Sequence, residues 1–291
     1  MIKEFRETHG GRAPRVLDLG AGTGLLSIYA ARAGAALVVG IEANAQRAAV
    51  ARQNIASHKL HERCSIVTCV STAFRLRTCR ARQPFDVLIS ELLGTTAIYE
   101  RQNTFVADLF ARGIVRSFEH DDDTETRYVV PQHIEMWIRA YRPVRSASVA
   151  DTGVHIIDQL VVERAFENGF QNHSKFGVVP HVNHFQPFDQ RRLLLIDVDS
   201  WTPLTAYQRR FEMRLATSDG ENFLFIEWRA RLWADVALEH SVQSASVLAN
   251  DNYVARLGSW GFDLYVPPRG VTSIIFALTN DTVIVKKLLL N

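Results

Sequence analysis

Cysteine is scarce in this chain of 291 residues, and its placement excludes two chemistries. Cys64, Cys69 and Cys79 are odd in number, too few for a disulfide framework, and lack the CxxC spacing of a zinc site. Free thiols in a reducing compartment remain, and no metal site is expected. Charge of one sign is also lacking. A formal net charge of +2 is too mild for a main partner that is nucleic acid, although it leaves room for a local acidic patch that takes something basic. Long hydrophobic runs are missing as well. The longest are of strand length, which excludes a transmembrane helix and a membrane partner. The opening MIKEFRETHGGRAPR is polar and has no apolar core of a signal peptide. The expectation is a soluble, intracellular protein, cytoplasmic and compatible with a nuclear pool. With 47% hydrophobic and 22% charged residues the chain is globular rather than disordered, and its length suits one large domain or two ordinary ones.

What is present is a change of pattern along the chain. VLDLG (16–20), ALVVGIEA (36–43), SIVTCV (65–70) and PFDVLIS (84–90) read as strands. Between and after them, LLSIYAARAG (25–34), AQRAAVARQNIASHKL (45–60) and NTFVADLFARGIV (103–115) read as helices. Interleaved strands and helices imply a doubly wound parallel sheet. The acidic run HDDDTE (120–125) reads as a solvated turn. From TRYVVPQHIEMWIRAY (127–142) onward the period is two, with Ile134, Met136 and Ile138 on one face and His133, Glu135 and Trp137 on the other. LLLIDVDSW (193–201), RRFEMRLAT (209–217), NFLFIEWRARLWADVAL (222–238) and VTSIIFALTNDTVIVKKLLL (271–290) continue as strands. Hairpin turns are expected at Ser218-Asp219-Gly220 and Thr279-Asn280-Asp281. An α/β domain over residues 1–127 is thus expected before a mostly antiparallel barrel or sandwich over 128–291. Inside the second half, DQLVVERAFENG (158–169) reads helical and SKFGVVPHVNHFQPF (174–188) reads as aromatic-rich loop. The insertion is either a docking arm or a loop packed on its own domain.

DLGAGTG puts Gly20, Gly22 and Gly24 between a strand and a helix, where a tight turn lets a ligand approach the backbone. Glu42 ends the next strand, where a carboxylate can take both hydroxyls of a ribose. The spacing is D-x-G-x-G-x-G rather than GxGxxG. The latter offers a helix N-terminus to a pyrophosphate. The former suits a nucleoside ligand without phosphate, such as S-adenosylmethionine, in preference to the dinucleotide of an oxidoreductase. Ser71 and Thr72, just past the third strand, stand where an adenine would lie; the alternative for them is an ordinary polar loop.

The stretch SELLGTTAIYE begins and ends on carboxylates, Glu91 and Glu100, with only small, apolar and hydroxyl residues between their flanks. Glu91 follows the fourth strand, beside the cofactor crevice. If the loop folds back, the two carboxylates face each other across a pocket and repel unless a cation lies between them. A guanidinium fits, because its planar fork takes paired bonds from carboxylates. Each glutamate taken alone could equally be an ordinary surface residue.

These motifs together resemble the protein arginine N-methyltransferases. VLDLGAGTGLLS resembles the family's first motif, GIEA its ribose-binding acid, and Ser90-Glu91 through Glu100 its double-glutamate loop. VVPQHIEMWI is similar to the family's entry into its β-barrel. Ser71-Thr72 with GTGLLS looks most like the monomethylating type III branch, and SELLG echoes the symmetric-dimethylating type II branch. The resemblance spans nearly the whole chain, specific over residues 16–100 and diffuse after 140. It implies a Rossmann-like domain for S-adenosylmethionine and then a β-barrel substrate domain. A helical arm, at about residues 155–188, would reach a second subunit to form a homodimer or a heterodimer with a homologue. It also implies methyl transfer to arginine in proteins, histones or RNA-binding proteins among them, giving mono- or symmetric dimethylarginine. On this resemblance Asp18, Gly20, Gly22, Gly24, Glu42, Ser71 and Thr72 hold the cofactor, Glu91 and Glu100 are catalytic, and Trp260 walls the arginine pocket.

Two departures qualify the match. The family's late Thr-His-Trp loop is best matched by Gly258-Ser259-Trp260, so Ser259 stands where a histidine would. The family's N-terminal lid helices, with tyrosines and an arginine for the cofactor carboxylate, find no counterpart in the 15 residues before Val16. The chain is then either a fragment or a protein without a lid, and the second option fits a non-catalytic, prozyme-like partner of an active homologue.

Overall fold

The computed structural model describes residues 1–94, 96–119, 125–143, 171–172, 185–206, 210–215, 223–241, 263–265, 267, 270–279 and 282–290. Most of the expected arm at 155–188, the acidic run at 120–124, the turn at 218–220 and Trp260 lie outside them.

The first half begins with α1 (Ile2–Thr8) and β1 (Arg15–Leu19), then α2 (Leu25–Arg32) and β2 (Leu37–Glu42). It continues with α3 (Ala45–Ser57), β3 (Cys64–Thr68), β4 (Val87–Ser90) and α4 (Gln102–Ala111). A short antiparallel pair, β5 (Phe118–Glu119) and β6 (Glu125–Thr126), precedes β7 (Tyr128–Val130). One parallel sheet runs in the order β3-β2-β1-β4-β7. Its strands read as continuous apolar runs because both faces are covered. Val16, Val38, Ile66 and Val87 pack under α1, α2 and α3, while Leu17, Val39, Ile41 and Leu88 pack with Val106 and Leu109 of α4. The Asn44 side chain caps α3 by accepting from the Gln46 and Arg47 amides.

The N-terminal segment, read from sequence only as polar, is the helix α1. Phe5 is fully buried, stacks on His9 at 4.0 Å and meets Tyr128 edge-on at 5.0 Å. Tyr128 in turn stacks on Trp233 at 5.4 Å, and the Trp233 indole donates to Glu4. Truncating a fully buried Phe such as Phe5 costs about 3–5 kcal/mol. The helix escapes a polarity reading because one turn of buried contacts, Ile2 and Phe5, carries it.

The second half holds β8 (His133–Pro143), β9 (Gln171–Asn172), β10 (Phe185–Asp199), β11 (Arg210–Arg214) and β12 (Phe223–Trp233). β13 (Val236–His240), β14 (Asp263–Tyr265), β15 (Val271–Leu278) and β16 (Val283–Leu290) complete it. One antiparallel sheet runs β10-β8-β12-β14-β9, with β13 on β12, and a second runs β11-β15-β16. Ile134, Met136 and Ile138 face the core they share with Ile226, Ile274 and Phe276, giving a barrel-like antiparallel domain.

Three expectations change. The junction falls at Pro131 rather than 127, because Tyr128–Val130 pairs with β4 in the parallel sheet. The expected strand at 222–238 becomes two, Phe223–Trp233 and Val236–His240, since Ala234 at φ 48° turns the chain without any Gly, Pro or Asn to announce it. β10 starts at Phe185, so the end of the 174–188 loop belongs to the sheet. On the face of β8 opposite Ile134, Trp137 is buried and its indole donates to Glu227, also buried, which accepts from Tyr141 as well. Burying that carboxylate is tolerated only because it is bonded. Cys64, Cys69 and Cys79 are free thiols. No helix among the described residues is long and apolar enough to cross a membrane.

Candidate active site

The site is built at the carboxyl ends of β1, β2, β3 and β4. After β1 the chain turns through Gly20 and Gly24 at φ 75° and 85°. A Cβ on Gly20 would lie 2.7 Å from Leu92 Cδ2, and the left-handed φ of 75° is what favours glycine where the turn meets the loop after β4. The Gly22 amide donates to Glu42 Oε2 at 2.8 Å, and the Asn44 amide donates to Glu42 Oε1 at 2.8 Å. Glu42 is therefore fixed by both oxygens, each of which keeps a lone pair for a further donor. The glycine turn and this oriented carboxylate fit a nucleoside whose two ribose hydroxyls donate.

Asp18 takes a different part from the one expected. It is 0% exposed, so its side chain meets no ligand. It accepts from Ser27 Oγ at 2.6 Å, which ties β1 to α2 beneath the glycine turn, while its Oδ1 has no bonding partner. Burial, opposed by the Ser27 bonds, raises its pKa to about 6.

Ser71 opens a 3-10 turn, Ser71–Ala73, past β3; it is buried and Thr72 is exposed. The carbonyls of this turn are held by arginines. Arg112 donates to Ser71 O at 2.9 Å and Phe74 O at 2.8 Å, and Arg75 donates to Thr72 O and Phe74 O, both at 2.8 Å.

The loop from Glu91 to Glu100 folds back. Leu93, Ala97 and Ile98 enter the barrel core, which explains the apolar residues between the glutamates and joins the two halves at this point. A Cβ on Gly94 would lie 3.6 Å from Glu100 Cγ, so the start of the loop packs on its end. The buried Gln102 accepts from the Leu92 amide at 3.1 Å, tying the residue after Glu91 to the residue two beyond Glu100. Glu91 and Glu100 are both exposed. The Glu100 pKa is nonetheless raised, first by burial of part of its carboxylate and next by the charge of Glu91, with Arg47 of α3 opposing. The two carboxylates thus lie close enough to repel, as a guanidinium clamp needs.

Arg112, Gln102, Ser27 and Arg47 were not singled out from sequence. Apart from the Asp108–Arg112 pair within α4, their partners are backbone atoms or side chains 9 to 53 residues away, so no local motif marks their place in the site. In the antiparallel sheet His133 bonds Asp197 and Asp199 beside Glu135, Arg229 and Arg231. Trp260 lies outside the described residues.

The fold is a parallel α/β domain followed by an antiparallel barrel-like domain. Residues 3–110 match the family model described as ribosomal protein L11 methyltransferase (PrmA). A "Probable protein arginine N-methyltransferase 6.1" of Oryza sativa subsp. indica is 36% identical over 97 residues, 33% of this chain and 24% of the relative. "Protein arginine N-methyltransferase 6" of Danio rerio is 34% identical over 108 residues, 37% of this chain and 29% of the relative. The matches thus span about a quarter of the length of these curated relatives. The structure solved as "PRMT6-SAH" superposes with a TM-score of 0.61 at 15% identity, covering 95% of this chain and 92% of that one. The Trypanosoma brucei "PRMT1 enzyme-prozyme heterotetrameric complex with AdoHcy" gives 0.56 at 16%, covering 91% and 78%. In sequence over 97 to 108 residues, and in fold over nearly all its length, the chain resembles the protein arginine N-methyltransferases.

Proposed function

We propose that the chain is an S-adenosylmethionine-dependent protein arginine N-methyltransferase. The observation that carries this reading is the Glu91–Glu100 pair, folded together beside the glycine turn and mutually repulsive without a cation. When bound, S-adenosylmethionine supplies an electrophilic methyl carbon on sulfonium sulfur. The chain's own part is to hold and orient. Glu42 and the Ser71–Thr72 turn hold the nucleoside. Glu91 and Glu100 accept from the guanidinium, aim one nitrogen along the C–S axis and concentrate electron density on it; this positioning is the main catalytic term. One of the two takes the proton that leaves the nitrogen as the N–C bond forms. Ser259 in place of the family's histidine supports mono- or symmetric dimethylation rather than asymmetric. Arginine-containing proteins are the proposed substrates and the cytoplasm the proposed location. The test is methyl transfer from labelled S-adenosylmethionine to an arginine-rich peptide, with mass analysis of the product; a wild type that transfers nothing overturns it.

The same reading has the protein act as a dimer, with itself or a homologue. Leu25, Leu26 and Tyr29 of α2 and Val50 of α3 are large exposed apolar residues, a face suited to an arm contributed by a second subunit over residues 155–188. A non-catalytic partner is the second reading. It is supported by the likeness of fold to a chain of the Trypanosoma brucei enzyme-prozyme complex.

A further inference from the structure

We infer that Arg112 is a positioning residue for the cofactor, holding the adenine turn at a set place relative to the glutamate loop. The inference rests on the reading above that an adenosyl ligand lies against Ser71 and Thr72. Arg112 is the C-terminal cap of α4. One helical turn earlier, Asp108 Oδ2 accepts from Arg112 Nε at 3.0 Å and Nη2 at 2.6 Å. That pair fixes the plane of the guanidinium. An i,i+4 ion pair on a helix surface is worth little by itself. This one is used on both sides, because the same guanidinium donates to Ser71 O and Phe74 O. Charge-assisted bonds to two carbonyls of one turn leave it little freedom.

The other end of α4 gives the arrangement its purpose. The helix starts two residues after Glu100, and at ten residues it spans about 15 Å. A single rigid element therefore carries the substrate carboxylate at its N-terminus and the adenine turn at its C-terminus. Releasing the turn loosens the nucleoside site without touching the glutamate pair. Lysine does not replace Arg112, since an ammonium has no planar fork to serve a carboxylate and two carbonyls together.

The experiment compares the wild-type chain with Arg112→Met and Arg112→Lys. Each variant should raise the KM for S-adenosylmethionine about tenfold, the scale of one to two lost charged hydrogen bonds. kcat at saturating cofactor and the KM for an arginine peptide should stay within about twofold, because the reacting groups are untouched. A purely structural part would instead lower kcat, through fewer folded molecules, and leave both KM values alone; that result overturns the inference. Calorimetry with S-adenosylhomocysteine separates the two readings. Binding by the wild type, with affinities in both variants within twofold of it, overturns the part given to Arg112 and keeps the cofactor reading. No binding by the wild type overturns the cofactor reading and this inference with it. Hydrogen exchange at the Ala73 and Phe74 amides should be faster in Arg112→Met; unchanged exchange means that the turn does not depend on Arg112 and also overturns the inference.

Discussion

Replacing either glutamate of the pair by glutamine is the sharpest perturbation. Gln keeps the volume and one acceptor oxygen but removes a charge. In the ligand-free protein Glu91 and Glu100 are both exposed, so the single substitutions should leave the fold intact and even relieve the repulsion that raises the Glu100 pKa. The loss belongs to the complex, where the guanidinium is desolvated between them. Truncating one side of a fully buried charge pair costs 2–5 kcal/mol. The exposure of this pair argues for the lower half, about 2–3 kcal/mol, or about 30- to 150-fold in kcat/KM. Methyl transfer to matched Arg and Lys peptides by wild type, Glu91→Gln and Glu100→Gln provides the assay, with calorimetry to check that S-adenosylhomocysteine affinity is unchanged. The lysine peptide should fail, since an ammonium cannot fill two forks. A pH arm adds a second readout. A carboxylate with a raised pKa must lose its proton before it can take a cation, so peptide affinity should rise as pH rises through the Glu100 titration. Glu91→Gln should move that midpoint down by removing the like charge. Should either variant keep more than about a tenth of wild-type activity, the loss is below about 1.4 kcal/mol, and that glutamate is not part of a clamp.

Glu42→Ala should weaken S-adenosylhomocysteine by about 1.5–3 kcal/mol, measured by calorimetry, through loss of charge-assisted bonds to the ribose; equal affinities would mean the nucleoside is held elsewhere. Asp18 has a folded-state pKa of about 6 against 3.8, so the native state binds the extra proton between those values and stability falls as pH rises from about 4 to about 6. Asp18→Asn should flatten that slope in melting temperature, by up to about 3 kcal/mol of stability, and an unchanged slope would show that Asp18 does not titrate there. Light scattering should find a dimer whose interface buries at least about 1,000 Å²; a monomer at micromolar concentration, with or without a homologue, counts against the arm.

What could be read along the chain is what local chemistry encodes. Short apolar runs between helical periods gave four of the five parallel strands, because the strands of a covered parallel sheet are dominated by buried apolar residues. The glycine turn with Glu42 was legible because a left-handed backbone and a strand-end carboxylate must be spelled in the residues themselves. The period-two run through Ile134, Met136 and Ile138 located a core face for the same reason.

The tertiary structure decided everything that depends on a distant partner. Trp137 and Glu135 share one face of β8 by period, yet only Trp137 is buried, because Glu227 of the neighbouring strand lies opposite it with a carboxylate for its indole. Asp18 reads as a ligand-facing acid in the motif, but it turns inward to Ser27 and supports the turn from below. Whether Glu91 and Glu100 meet was decided by Leu93, Ala97 and Ile98, which sink into a core made by residues more than thirty positions further on. Arg112 bonds two carbonyls, Ser71 and Phe74, and any residue type offers a carbonyl, so no sequence pattern could have revealed it.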